Sequence, residues 1–156
     1  MVDHTAITED IKVIVFRLLE EEYGVEVHQV RSIERMETIT RVPRSPEFVK
    51  GVINLRGVVT PIIDLRGRFG LEEAPYTEST RIIIVVAGGL EVGLIVDAAN
   101  DVIDIPVNAI EPPPEVVGGI EAVYLRGVAK LESRLLILLN LDRVLNKEEL
   151  QLVAKL

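Results

Sequence analysis

Cysteine is absent from the 156 residues, which excludes disulfides, thiolate catalysis and cysteine-ligated zinc and fits a reducing compartment. Tryptophan is absent too, and aromatic residues are 4% of the chain, little material for a sugar-stacking cleft or a base-stacking platform. Positive charge is in short supply: 17 Lys and Arg stand against 25 Asp and Glu, a net charge of −8. That balance opposes nucleic-acid phosphates and an anionic membrane surface alike. The two histidines, His4 and His28, are far apart in sequence, whereas a zinc site or a histidine-based triad needs several converging groups. No apolar run reaches the ~18 residues of a membrane-spanning helix. The opening MVDHTAITEDIK is polar and acidic where a signal peptide is basic and then apolar, so a cytoplasmic protein without membrane insertion is expected.

The usual phosphate-binding patterns are missing as well: there is no Walker loop and no Gly-x-Gly-x-x-Gly, and Gly88, Gly89 and Gly93 suit hairpin turns better. Asp97, Asp101 and Asp104 lack the alternate spacing and central glycine of a calcium loop and read as turn caps and solubilising charges. A pair of carboxylates for acid and base work is not excluded by spacing, but nothing else in the chain supports one.

What the chain does have is β-branched and aliphatic side chains, 48% hydrophobic in all, and these favour strands. IKVIVFRL, Ile11 to Leu18, is apolar on both faces and predicts a strand between two layers. Glu21-Glu22-Tyr23-Gly24 reads as an acidic hairpin tip, followed by a half-buried strand over Val25 to His28. VPRSPEFVKG predicts one short helical turn with Ser45 as cap and Pro46 in first position. Gly51–Leu55 and Val58–Ile63 predict two strands joined across Arg56-Gly57, with Arg56 at an exposed tip. In the second Leu-Arg-Gly, Asp64 caps a short helix that Gly70 ends, with Arg66 and Arg68 as solvated charges. After the polar linker LEEAPYTEST comes a second β-rich half with a hairpin at Gly88-Gly89 and a stiff corner at Pro112-Pro113-Pro114. LDRVLNKEELQLVAKL, with apolar residues at 141, 144, 145 and 152, predicts a terminal amphipathic helix over 141–153.

Leu125-Arg126-Gly127, a strand and LLNLDRVLN repeat the order of Leu55-Arg56-Gly57, a strand and IIDLRGRFG, with a longer hairpin around Lys130 to Arg134. This gapped repeat predicts two related small barrels in a single domain over 1–156. The subdomains are expected at about 21–70 and 80–140, with strand 11–18 joining either. An aliphatic β-protein without a visible reaction centre suits a molecule whose product is an interface.

SPEFVKGVINLRGVVTPIIDLRGRFG resembles the CheW family of bacterial chemotaxis coupling proteins, and EEYGVEVHQVRSIE, VGLIVDAANDV, AVYLRGV and LLILLNLDRVLNKEE follow in the family order. The resemblance implies a mainly β fold of two intertwined five-stranded β-barrels with a C-terminal helix, no catalytic activity and no cofactor. It implies an adaptor that couples the cytoplasmic tip of a chemoreceptor to the regulatory domain of the histidine kinase CheA and so regulates autophosphorylation. A related signalling scaffold of the same fold acting outside chemotaxis is the alternative. A small hydrolase or sugar-binding barrel is the competing reading from another class. Carried over by position, the family's receptor contacts fall on Val30, Ile33 and Arg56, with Gly51, Asn54 and Gly57 shaping that surface. The chain departs from the family pattern at Ser32, where many relatives have a glutamate able to pair with the turn arginine, and at Ala99, where valine is common. Ser32 and Glu34 share one face of a strand, so Glu34 is expected to hold Arg56 in place of the family carboxylate.

Overall fold

The computed structural model describes residues 9–117 and 120–155, so His4 lies outside the described residues. In chain order the strands are β1 (Asp10–Leu18), β2 (Glu21–Glu26), β3 (Val30–Arg35), β4 (Val49–Leu55), β5 (Val58–Asp64), β6 (Arg81–Ala87), β7 (Leu90–Val96), β8 (Ala98–Pro106), β9 (Ile110–Glu111), β10 (Val116–Val117), β11 (Ile120–Glu121), β12 (Leu125–Lys130) and β13 (Leu135–Leu139). Helices α1 (Leu65–Arg68), α2 (Leu141–Val144) and α3 (Lys147–Ala154) complete the fold. One barrel-like sheet runs β8-β1-β2-β13-β12-β9 and the other β3-β6-β7-β5-β4, while β10 and β11 pair by themselves. The first sheet has a sixth strand because Ile110 and Glu111 pair with Ala129 and Val128. The corresponding contact in the second sheet is only a bridge, Thr40 to Val52, and that sheet keeps the expected five strands.

The double-sided apolar pattern of β1 now has a cause. Val13 and Val15 point into the first barrel, with Ile105, Leu136 and Leu138. Ile14, Phe16 and Leu18 point the other way, into a larger core shared with Ile83, Val85, Leu94 and Ile137. Strand β6 does the same from the other side, with Ile82 and Ile84 inside the second barrel beside Ile53, Ile62 and Ile95. Three apolar layers result: two barrel interiors and a seam between the barrels.

Each barrel takes its central hairpin from the other half of the chain. The hairpin β1–β2 pairs outward with β8 and, in parallel, with β13. The hairpin β6–β7 pairs with β3 and, in parallel, with β5. Sheet membership therefore crosses the segments 21–70 and 80–140, since β2 lies in one sheet and β6 and β7 in the other. The internal repeat is present, but in a different registration. Gly51 and Gly127 occupy equivalent bulges, where a Cβ would meet Ile39 at 2.6 Å and the Thr40 carbonyl, or Ile110 at 2.8 Å and the Glu111 carbonyl at 2.6 Å. Phe48, Gly51, Asp64 and Leu65 correspond at one constant spacing to Tyr124, Gly127, Asn140 and Leu141. Leu125-Arg126-Gly127 thus matches Val49-Lys50-Gly51 rather than Leu55-Arg56-Gly57, and the hairpin needs no insertion.

Several local expectations change in tertiary context. The first hairpin tip is Leu19-Glu20, with Leu19 at φ 57, while Tyr23 and Gly24 are buried within β2. Tyr23 stacks on Phe16 at 5.7 Å, and burial, with Glu21 and Asp97 adding to it, pushes its phenol up to about 12. Its strand ends at Glu26, before a 3-10 turn over Val27–Gln29. VPRSPEF forms two tight turns, closed by Ser45 N–H to Val42 O at 3.3 Å and Val49 N–H to Pro46 O at 3.0 Å, instead of a helical turn. The terminal helix breaks after α2 because Asn146 starts α3 with a capping box to Glu149. The phase change buries Val153 and leaves Leu152 48% exposed.

The largest correction concerns the second Leu-Arg-Gly. Asp64 does cap α1, accepting from Arg66 N–H at 3.0 Å. Arg66 and Arg68 are not solvated; they clasp the seam. Arg66 donates to both oxygens of Asp97, at 2.8 and 2.5 Å, and to Glu72 O. Asp97 in turn accepts from Leu19 N–H at 2.7 Å, which ties it to the β1–β2 turn. Arg68 donates to Val144 O at 2.7 Å and to Glu149 at 2.5 Å. Its guanidinium also lies over Phe48 and Tyr124, at 5.6 and 5.4 Å. Asp101 and Asp104 make longer ion pairs, with Arg134 at 3.6 Å and Lys12 at 4.0 Å.

Two stability measurements follow from α1. With side chains 16% and 15% exposed, Arg68 and Glu149 form a mostly buried pair. Arg68→Ala is therefore expected to cost about 3 kcal/mol in a urea melt, because it strands the carboxylate. Burial raises the Asp64 pKa, partly offset by the Arg66 N–H and Lys50. The folded state pays nothing for this group while it is protonated in both states. The penalty develops as pH rises from the unfolded value of 3.8 through the folded one. Asparagine can accept the same N–H bond through its amide oxygen and keep the cap without the charge. Asp64→Asn should thus gain stability over the parent from pH 4 to pH 7, and an advantage that instead grows on acidification would contradict the assignment.

Candidate functional site

The β4–β5 hairpin presents the most distinctive surface side chain. Leu55 pairs with Val58, leaving Arg56-Gly57 as a two-residue loop. Both residues have left-handed backbone, φ 52 and φ 87, as such a loop requires. Gly57 adopts this freely, whereas an L-residue such as Arg56 bears a cost of roughly 1 kcal/mol. The side chain of Asn54 accepts from Gly57 N–H at 2.8 Å and holds the loop from below.

Arg56 is 73% exposed and directs Nη2 to within 3.5 Å of Glu34 Oε2, whose side chain is 18% exposed. The contact depends on sheet curvature. Strand β3 is at one end of its sheet and β4 at the other, so only a curled sheet brings Glu34 to the hairpin tip. Glu34 and Ser32 lie opposite Ile82 and Ile84, the residues that line the barrel interior. Ile33 points the opposite way and is 42% exposed, and Val30 is half-buried against the seam core. Gly51 is buried in β4 and supports the hairpin from inside. Of the eight residues singled out from sequence, the fold joins Glu34, Asn54, Arg56 and Gly57 through direct contacts. Ser32 shares their face of β3, whereas Val30 and Ile33 point to the other.

Sequence reasoning missed the apolar flank of this turn. Val58 and Val59 are 50% and 64% exposed, and with Pro61 they line a groove of about 270 Å³ bounded by Leu90 and Val153. The signal was present: two successive strand residues cannot both face inward, yet both are valine. A second ion pair, Arg31 to Glu91 at 3.5 Å, connects β3 to β7. The site thus combines one cation on a rigid turn with adjacent apolar area. It holds no nucleophile beside an oriented base, and among the described residues no cluster of three or more His, Cys, Asp or Glu could hold a metal ion.

Comparison with known proteins places the chain by its sequence and its overall fold. Residues 12–149 match the family model described as CheW-like domain. The chain is 48% identical to the chemotaxis protein CheW of Bacillus subtilis over 140 residues, covering 90% of each chain. It is 39% identical to that of Klebsiella aerogenes over 140 residues, 90% of this chain and 84% of the relative. The crystal structure of the scaffolding protein TtCheW from Thermoanaerobacter tengcongensis superposes with a TM-score of 0.81 at 38% identity, covering 96% of both chains. A family model that extends from β1 into α3, relatives of nearly matching length and a solved structure of closely similar fold lead to one assignment: this chain belongs to the CheW family.

Proposed function

We propose that this chain is a non-enzymatic adaptor of bacterial chemotaxis, working in the cytoplasm, where it couples chemoreceptor cytoplasmic tips to the histidine kinase CheA and regulates its autophosphorylation. The observation that carries the reading is the match of residues 12–149 to the CheW-like domain, with the fold of a solved scaffolding protein. No helix among the described residues is long and apolar enough to cross a membrane. The receptor surface is centred on Arg56 and Glu34, with Ser32 on their face of β3, Val30 and Ile33 on the other face of that strand, and Gly51, Asn54 and Gly57 shaping the turn. Two features support that centre: an arginine kept in left-handed backbone, and a partly buried carboxylate that restrains it. CheA binds a separate apolar surface, of roughly 800 Å² per partner for a standard interface. Coupling is then the difference in binding free energy between receptor signalling states.

A pull-down with a chemoreceptor cytoplasmic fragment and with CheA tests the reading, and retention of neither at tens of micromolar removes it. In a titration, saturating CheA regulatory domain should leave the receptor site free; competition would refute separate faces.

At the turn itself, Arg56→Ala is expected to weaken receptor binding and kinase activation while changing stability by less than about 1 kcal/mol, as for an exposed ion pair. Glu34→Ala should do the same to a smaller degree, and a double-mutant cycle on receptor affinity should be non-additive. Arg56→Asn separates fold from function, because Asn-Gly suits a two-residue hairpin loop. Its melting temperature should equal or exceed the parent's while receptor binding falls as in Arg56→Ala. Normal kinase activation by either Arg56 variant would end the claim for this residue.

A further inference from the structure

The hairpin β1–β2 belongs to the first half of the chain but is built into the first barrel, whose other strands all come from the second half. Its outer strand partners, β8 and β13, both come from the second half. Its polar ties also reach outside its own half: Glu22 to Arg134 at 2.7 Å, Glu26 to Arg126 at 2.7 Å and Leu19 N–H to Asp97. The covalent link back to β3 is short, the 3-10 turn over Val27–Gln29, which has no buried residue and no side-chain cap. Chain connectivity alone therefore decides whose second half the hairpin completes.

From this arrangement we infer that the chain forms a hairpin-exchanged dimer with a second copy of itself, in which residues 10–26 of each molecule complete the barrel of the other. Every strand pair of the hairpin and its ion pairs to Arg126 and Arg134 are kept in the exchanged form; only the turn at Val27–Gln29 opens, with the Glu26–His28 contact inside it. Four residues in extended conformation, Val27 to Val30, span up to about 13 Å and let β2 run on into β3. With contacts preserved, the balance depends on protein concentration against the effective concentration imposed by the short link, in the millimolar range. Exchange requires the hairpin to leave its barrel, so dimers arise on refolding, and once formed they persist through the unfolding barrier.

The absence of cysteine allows a direct test on the full chain. Lys12 of β1 faces Asp104 of β8, both 61% exposed, in an antiparallel register whose Cα separation suits a disulfide. Chains carrying only Lys12→Cys are mixed with chains carrying only Asp104→Cys, unfolded together in denaturant, refolded and oxidised. The expected result is a disulfide-linked heterodimer whose yield rises about tenfold between ~10 µM and ~1 mM protein at refolding. The same chains mixed without unfolding should give none. Equal cross-linking without unfolding would show surface collision, and monomers under all conditions would show that the hairpin never leaves its own chain; either overturns the proposal. The parent chain supplies a measurement free of substitutions: refolded at high concentration, it should show by light scattering a species of twice 17.3 kDa that is absent after dilute refolding. Only 17.3 kDa at both concentrations would equally refute exchange.

Discussion

The seam between the barrels is the constraint from which most of this structure follows. A small barrel can bury one face of a strand, but β1, β6, β7 and β13 are apolar on both. Only a second barrel on their outer faces removes the rest of that surface from water, at roughly 25 cal/mol per Å² of apolar area. Exchange of the two hairpins between the halves makes this covering obligatory, since neither barrel is complete without strands from the other half.

Charge organises the same seam. Arg66 and Arg68, on a helix of only four residues, reach Asp97, Glu149 and the Val144 carbonyl from one short segment. The repeat shows why this point is special: Phe48 and Tyr124 are equivalents, and Arg68 lies over both. Its own equivalent is Val144, whose carbonyl accepts from it. The pseudo-symmetry is thus broken where it matters, with one arginine serving both halves and an aliphatic residue opposite.

The two Leu-Arg-Gly copies place their arginines in opposite surroundings, one exposed and the other mostly buried. In the first, a tight hairpin loop exposes the arginine and a carboxylate on a neighbouring strand restrains it. In the second, a helical turn points its arginines into the molecule. For the proposed receptor contact, a rigid scaffold and a pre-oriented cation reduce the conformational entropy lost on binding, which is the physical advantage of a strained turn over a mobile loop.

Sequence alone determined the strand-rich class, the Arg56-Gly57 and Gly88-Gly89 turns and the Asp64 cap, because each depends on residues close in the chain or on a two-residue period; the pairing of Arg56 with Glu34 is expected through the family resemblance and is closed by the curl of the sheet. Sequence also carried the family, through the order of motifs from β1 to α3. Tertiary structure decided which half supplies each barrel's hairpin, since apolar periodicity states that a face is buried without stating against what. It decided the true registration of the repeat, visible only when Gly51 and Gly127 are seen in equivalent bulges. It buried Arg66 and Arg68, which as isolated helix charges read as solvated, because their partners lie 31 and 81 residues away. Local sequence sets the conformation of a turn, but what a side chain meets there depends on contacts that only the folded chain brings together.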